Sequence, residues 1–426
     1  MIRYSETNPV QSYLAISKNP LEFLSHVQKT SGDFAEFRIL GFRYCLVNEP
    51  QLIKEALVEK SDAFVIQGGA SKGLARLIGN GILTNRGKNW KHSRQSLLPH
   101  FQQSAMEHWH SAIQSCVAES LARWKENFSD EPFLLNRELL ALSFRIKCST
   151  LFNSVSTFEE AEEFADAIWT LQLDGMIRYT NGIDFVPWLP LPLNRRVNSA
   201  VRTLSRIARR LETPEFPADE IRSLLFAGAE SPANTICWAL LLLSRNPEWI
   251  DRLFNQPPGH RRDSETDVLA QILNEVMRLY PAGWAFERYA PQEFPLGGRT
   301  IRKRTRLMFS PFLLHRNSRH WPEPEKFDPS RFARGTALSS GIPAFSFLPF
   351  GAGPRSCIGS RLAVSEMRTV LSAILNEVRL QIVSPPPEPR GSFKIRLSQP
   401  LVVKMESQID RRPQPSPVPN TETNSV

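Results

Sequence analysis

Apolar and polar positions change their period several times along the chain. Near the N-terminus, AEFRIL (35–40) and RYCLVN (43–48) are short β-like runs that flank Gly41 and predict a hairpin. PQLIKEALVEK (50–60) follows at helical spacing, with Pro50 in its first turn. From about residue 102 to 255 the pattern is mostly helical. FVPWLPLPLNRR (185–196) is the exception, because its prolines force a turn. Residues 286–312 return to β and turn character around a Gly297-Gly298 hinge, and helix resumes after Gly359. The stretch from about 406, ending RRPQPSPVPNTETNSV, is proline-rich and polar and predicts disorder. No internal repeat is visible. The expected architecture is a large, mainly α body with small β-sheets grouped toward both ends of the chain.

One stretch is apolar enough to be tested as a membrane span. Residues 224–243, LLFAGAESPANTICWALLLL, carry Glu230, Ser231, Pro232, Asn234 and Thr235 in their middle. A span needs about 20 mostly uncharged apolar residues, so a long buried helix fits better. The N-terminal MIRYSETNPVQSYLAISKNP has no long apolar run, so neither a signal peptide nor an N-terminal anchor is expected.

Composition narrows the picture only slightly. The 426 residues are 41% hydrophobic, enough for a large buried core. The net charge of +9 suits an acidic protein partner, a nucleic acid or an anionic membrane. No block of six like charges and no zinc-finger spacing appears, so nothing specific supports nucleic acid. The five cysteines (Cys45, Cys116, Cys148, Cys237 and Cys357) are odd in number and widely spaced, with no CxxC. They predict a reducing, cytoplasmic setting without a disulfide framework.

Cys357 stands apart. It lies in FLPFGAGPRSCIGSRLA (347–363), among Gly351, Gly353 and Gly359, ahead of an apolar helical pattern. A thiolate ligand to haem iron must be held rigidly, with backbone N–H groups aimed at its sulfur. Glycines let the backbone approach a flat macrocycle. Phe350 could shield the sulfur, Arg355 could reach a propionate, and Gly359 could let the next helix lie close. The plainer alternative is a buried free cysteine beside an ordinary turn.

Phe350-Gly351-x-Gly353-x-Arg355-x-Cys357-x-Gly359 resembles the haem-binding signature of the cytochrome P450 superfamily, the soluble, bacterial-type haem-thiolate monooxygenases. Other segments resemble the family in the expected order. LNEVMRLYP contains an E-x-x-R pair, Glu275 and Arg278, and FDPSRF (327–332) supplies Arg331. By resemblance these three brace the loop that presents Cys357. NWKHSRQSLLPHF (89–101) resembles the W-x-x-x-R helix, which makes Trp90 and Arg94 expected propionate contacts, with Arg288 in WAFERYAP as a further one. AGAESP (227–232) resembles the oxygen-handling motif of the central helix, with Gly228 leaving room, Glu230 as the acid and Ser231 in the place of the usual threonine.

The chain departs from the family at three points. Ser231 replaces threonine. Pro232 lacks an N–H and frees the Gly228 carbonyl four residues earlier. The segments before the central helix and before the E-x-x-R helix read as shortened. The resemblance implies a cytochrome P450 fold, mainly α with small β-sheets, over residues 1–405, with a disordered tail over 406–426. It implies haem b held by Cys357, and insertion of one oxygen atom of O2 into an apolar small molecule. Ferredoxin and ferredoxin reductase are the implied partners. Phe226, Ala227, Trp284 and Phe286 are the expected pocket lining, and Lys88, Lys91, Arg361 and Arg368 a basic partner-docking patch. The rival readings are a peroxide-using or non-oxygenating haem-thiolate enzyme, and a non-catalytic haem-binding accessory protein.

Overall fold

The computed structural model describes residues 8–66, 69–128, 131–175, 191–255, 267–333 and 341–406. The expected disorder beyond 406 therefore lies outside the described residues, as does 185–190 of the proline-rich turn.

Two short helices open the described chain, Pro9–Lys18 and Pro20–Ser31. Each begins with a proline whose missing N–H is not needed in the first turn, preceded by an asparagine cap. Asn8 Oδ1 accepts from the Val10 N–H at 3.0 Å, and Asn19 Oδ1 from the Glu22 N–H at 3.3 Å. The expected hairpin follows as Phe34–Ile39 and Phe42–Val47, paired antiparallel with Glu36 opposite Cys45. It extends into a four-stranded sheet with two strands from late in the chain. Thr305–Phe309 runs parallel to Phe42–Val47, and Phe286–Tyr289 runs antiparallel to Thr305–Phe309. The strands lie toward both ends of the chain as expected, but their joining into one sheet across more than 240 positions was not anticipated.

The helical body includes Met106–Asn127, Leu135–Leu151, Phe158–Thr170 and Pro192–Leu211. The last corrects one expectation, because Pro192 to Arg196 form the first turns of a helix rather than a turn. Pro192 sits where a proline is tolerated at a helix start. Six residues, 212–217, connect this helix to Ala218–Gly228.

The apolar stretch 224–243 is not one helix. Ala218–Gly228 stops, and Glu230–Arg245 starts after Ala229. Every residue from Pro232 to Leu243 is buried, which explains why the segment reads as apolar all round. Among the described residues no helix is long and apolar enough to cross a membrane. Trp238 of this helix stacks on Tyr280 with ring centroids 3.8 Å apart, a contact worth about 1 kcal/mol beyond its buried area.

A smaller sheet joins Val402–Met405 to Leu380–Ile382 and to Phe133–Leu134. The two-residue strand at 133 has no signal in the sequence. It is fixed by partners: the Leu135 N–H donates to the Leu401 carbonyl at 3.0 Å, and the Leu401 N–H donates to Asn136 Oδ1 at 2.6 Å.

Candidate active site

The loop before Cys357 is built by two glycines with backbone angles that side chains avoid. Gly351 and Gly353 both have φ of +71°. At Gly353 space is decisive as well, since a Cβ there would fall 1.8 Å from the Leu57 carbonyl oxygen. The turn closes with the Ser356 N–H donating to the Gly353 carbonyl at 3.0 Å and the Cys357 N–H to the Phe350 carbonyl at 2.9 Å. The helix Ser360–Glu377 starts immediately after Gly359, so its positive N-terminal end faces the cysteine.

Cys357 is the one accessible cysteine; the other four are buried, and all five are free thiols. The residue is exposed, yet protein crowds closely enough around its sulfur to strip away much of its water. Desolvation accordingly pushes the thiol pKa up. The Gly359 N–H, then the charges of Arg94 and Lys394, oppose that rise.

The E-x-x-R pair is buried rather than superficial, with Glu275 and Arg278 both fully inaccessible. Arg278 Nε and Nη2 donate to the Glu275 carboxylate at 2.7 and 2.8 Å. Arg331 Nε lies 3.4 Å from Glu275 Oε1. Arg278 also donates to the carbonyls of His315, Pro324 and Lys326 at 2.7, 2.8 and 3.1 Å. The Asp328 N–H donates to Glu275 Oε1 at 2.9 Å.

His315, which the sequence reading missed, links this triad to the cysteine loop. Its Nε2 accepts from the Leu348 N–H at 2.8 Å, two residues before Phe350. That leaves Nδ1–H to donate to the Arg278 carbonyl at 3.2 Å. Burial first, and the nearby Arg278 charge second, lower the His315 pKa to about 3.

A cluster of arginines gathers beside the loop. Arg94 Nη1 donates to the Ser356 carbonyl at 2.8 Å. The Arg355 guanidinium lies 4.0 Å from the centre of the Trp90 ring. Both Arg355 amino groups reach the Asn85 carbonyl at 3.5 Å, and Arg288 Nη1 donates to the Glu287 carbonyl at 2.9 Å. Among the described residues none of the three has a carboxylate partner. Burial lowers Arg288 to about 10; burial followed by the charges of Arg288, Arg94 and Arg86 lowers Arg355 to about 10. Like charges crowded in a partly dry place favour an anion with more than one carboxylate. Arg86 was not anticipated.

The break at Ala229 carries the expected oxygen-handling residues. A Cβ on Gly228 would lie 3.3 Å from Lys147 Cε, so close packing favours glycine there. Ser231 Oγ donates back to the Ala227 carbonyl at 3.3 Å. Glu230 is buried, and its Oε2 is 3.5 Å from Lys394 Nζ. Lys394 was also missed, because the carbonyls it bonds lie 168 and 167 positions away.

Of the expected pocket lining, Phe226 is buried against Phe393 and Ala227 is half-buried. Trp284 is not a lining residue. It belongs to a core cluster with Leu21, Leu24 and Phe37, and its Nε1 donates to the Ser392 carbonyl at 2.7 Å. Phe286 stacks on Phe309, 5.4 Å between centroids. Arg368 does not belong to a free basic patch, because it pairs with Asp267. Asp267 in turn caps the Val268–Leu279 helix, accepting from the Leu269 N–H at 2.9 Å.

An accessible thiol at a helix start, glycines clearing the approach to it, and a carboxylate-seeking arginine cluster beside it suit a haem with two propionates. The fold and this arrangement fit a protein that holds a haem. The cytochrome P450 family model matches residues 9–212 and 217–405, and the chain belongs to that family, whose cofactor is a haem iron. It is 27% identical over 413 residues to cyclooctatin synthase of Streptomyces melanosporofaciens, covering 86% of this chain and 87% of the relative. It is 26% identical over 403 residues to pentalenene oxygenase of Streptomyces avermitilis, covering 86% and 88%. A solved cytochrome P450 from Thermus thermophilus superposes with a TM-score of 0.78 at 26% identity, covering 96% of this chain and 100% of that one.

Proposed function

We propose that this cytochrome P450 is a monooxygenase that inserts one oxygen atom of O2 into an apolar alicyclic molecule of the terpenoid kind. The names of two relatives, pentalenene oxygenase and cyclooctat-9-en-7-ol 5-monooxygenase, support that substrate class. Cys357 would hold the iron of haem b, which would supply the activation of O2 when bound. Trp90, Arg94, Arg288 and Arg355 hold its propionates, while Phe350, Gly351 and Gly359 shape the floor. Glu230 and Ser231, at the helix break, govern protons. Residues 1–405 form one domain, and the protein works in the cytoplasm with electrons from a ferredoxin and its reductase. The observation that carries this reading is the single accessible cysteine beside Arg94, Arg288 and Arg355, which have no carboxylate partner among the described residues.

The test is spectroscopic. The purified protein should bind one haem, and its reduced carbon monoxide complex should absorb at the long-wavelength position of thiolate ligation. Cys357→Ala should abolish that band. A wild-type protein without the band would overturn the assignment. Titration with terpene hydrocarbons and alcohols should then shift the haem absorption, and a response only to charged acids would overturn the substrate class.

A further inference from the structure

The most unusual side chain near the site is a lysine that no part of the family resemblance accounts for. Lys394 sits in the turn joining Pro389–Gly391 to Ile395–Leu397, and that turn is rigidly held. The Ser392 N–H and hydroxyl both donate to the Lys394 carbonyl, at 3.0 and 3.2 Å. Trp284 Nε1 holds the Ser392 carbonyl, and the Ile395 N–H donates to the Ala282 carbonyl at 3.0 Å. From this platform the side chain runs inward, and the residue is only 7% exposed.

An ammonium has three N–H donors, and three acceptors surround this one. They are the Ala227 carbonyl at 2.9 Å, the Phe226 carbonyl at 3.2 Å and Glu230 Oε2 at 3.5 Å. Glu230 Oε2 has no hydrogen-bond partner among the described residues, and the Lys394 ammonium meets it as an ion pair. The two carbonyls belong to the last turn of Ala218–Gly228, where the helix dipole favours a cation. Pro232 cannot supply the N–H that would carry the helix across the break.

We propose that Lys394 is a positioning residue for the oxygen chemistry: it clips the broken central helix to the C-terminal hairpin and fixes the Glu230 carboxylate at the break. The two charges depend on each other, since removing either partner of a buried pair leaves the other uncompensated. Other charges nearby do not replace the clip. Lys147 is committed to Glu366, together with the Ser143 hydroxyl. Arg396 feels the Glu230 charge but makes no hydrogen bond to it. Cys357 acts on Lys394 only through its charge. Lys394 thereby keeps the Glu230 side chain turned toward the hairpin and steady while O2 is reduced. This inference rests on the monooxygenase reading, yet half of its test does not.

The test uses the haem-loaded protein. Hydrogen exchange is followed by mass spectrometry in peptides spanning 224–236, for wild type, Lys394→Met, Glu230→Gln and the double variant. Lys394→Met should speed exchange about tenfold, because the two helix carbonyls lose their charged donor, and the isosteric Glu230→Gln about threefold, because the ammonium loses its ion pair. The double variant should be no faster than Lys394→Met, as for two groups acting as one unit. Lys394→Arg should restore protection. In turnover, Lys394→Met should raise the fraction of electrons lost as hydrogen peroxide, with the substrate-induced spectral midpoint unmoved. Unchanged exchange in both single variants, additive effects in the double, or unaltered peroxide release would overturn the proposal. Should Lys394→Met fail to fold, the Glu230→Gln comparison decides alone. Absence of the thiolate band in wild type would sink the haem reading and leave the exchange result standing.

Discussion

At the scale of single residues, sequence reasoning found the groups whose spacing is local and missed those whose partners are remote. Glu275 and Arg278 lie three positions apart, and the cysteine loop is contiguous, so both were legible. His315 was not, because its two contacts are 37 and 33 positions away. Its environment nevertheless makes a sharp prediction. Its folded pKa, about 3, is below the usual 6.5, so the folded protein resists protonating it. The unfolded chain takes up that proton as the pH falls below about 6.5, and stability is lost progressively down to about pH 3. Between pH 7 and pH 5 this single group should cost the wild type about 2 kcal/mol, at about 1.4 kcal/mol per pH unit. His315→Gln should lower stability at pH 7 by about 1–3 kcal/mol, since the Leu348 N–H and the Arg278 carbonyl lose their ring partner. Its pH profile should also be flatter, by about the same 2 kcal/mol. Urea unfolding at the two pH values checks this, and parallel profiles would refute the neutral, buried imidazole.

At the scale of elements, the period of the apolar pattern located the strands and helices but not the places where tertiary contacts override them. Residues 224–243 read as one helix because all their faces are buried; the break at Ala229 depends on Pro232 together with a lysine supplied from position 394. Trp284 looked like pocket lining because it follows the E-x-x-R helix, yet it anchors a hairpin 108 positions later. Two glycines that look equivalent in the motif separate for the same reason. Gly351→Ala meets no atom within 4 Å and is opposed only by its positive φ, at about 1 kcal/mol. Gly353→Ala has the same φ and would also collide with the Leu57 backbone. Gly351→Ala should therefore keep its haem, while Gly353→Ala should unseat the loop from residues 55–59 and lose most of it. The haem-to-protein ratio after purification distinguishes them, and equal ratios would show that the Leu57 contact does not hold the loop.

At the scale of the whole molecule, the net charge of +9 acquires a direction only once the internally paired members are set aside. Arg368 is tied to Asp267 and is withdrawn from any docking surface. Lys88, Lys91 and Arg361 remain exposed. Lys88 and Lys91 flank Trp90 on the helix Gly87–Leu97, which touches the cysteine loop through Arg94 and Arg355. Arg361 lies in the first turn after Cys357. The three cations therefore border the route by which an electron would reach the sulfur from outside. An acidic ferredoxin would be steered to that face, and steering raises association rates by about ten- to a thousandfold at low salt. Reversing Lys91 and Arg361 to Glu should slow the first electron transfer about tenfold at low ionic strength, without changing the reduced carbon monoxide band or substrate affinity. Near 1 M salt the Debye length shrinks to about 3 Å, so wild type and double reversal should converge. Arg368→Gln should leave the rate alone and lower thermal stability instead, because its loss unpairs Asp267. Stopped-flow reduction across a salt series reads all three, and a rate that responds to Arg368 but not to Lys91 and Arg361 would move the docking face away from the thiolate.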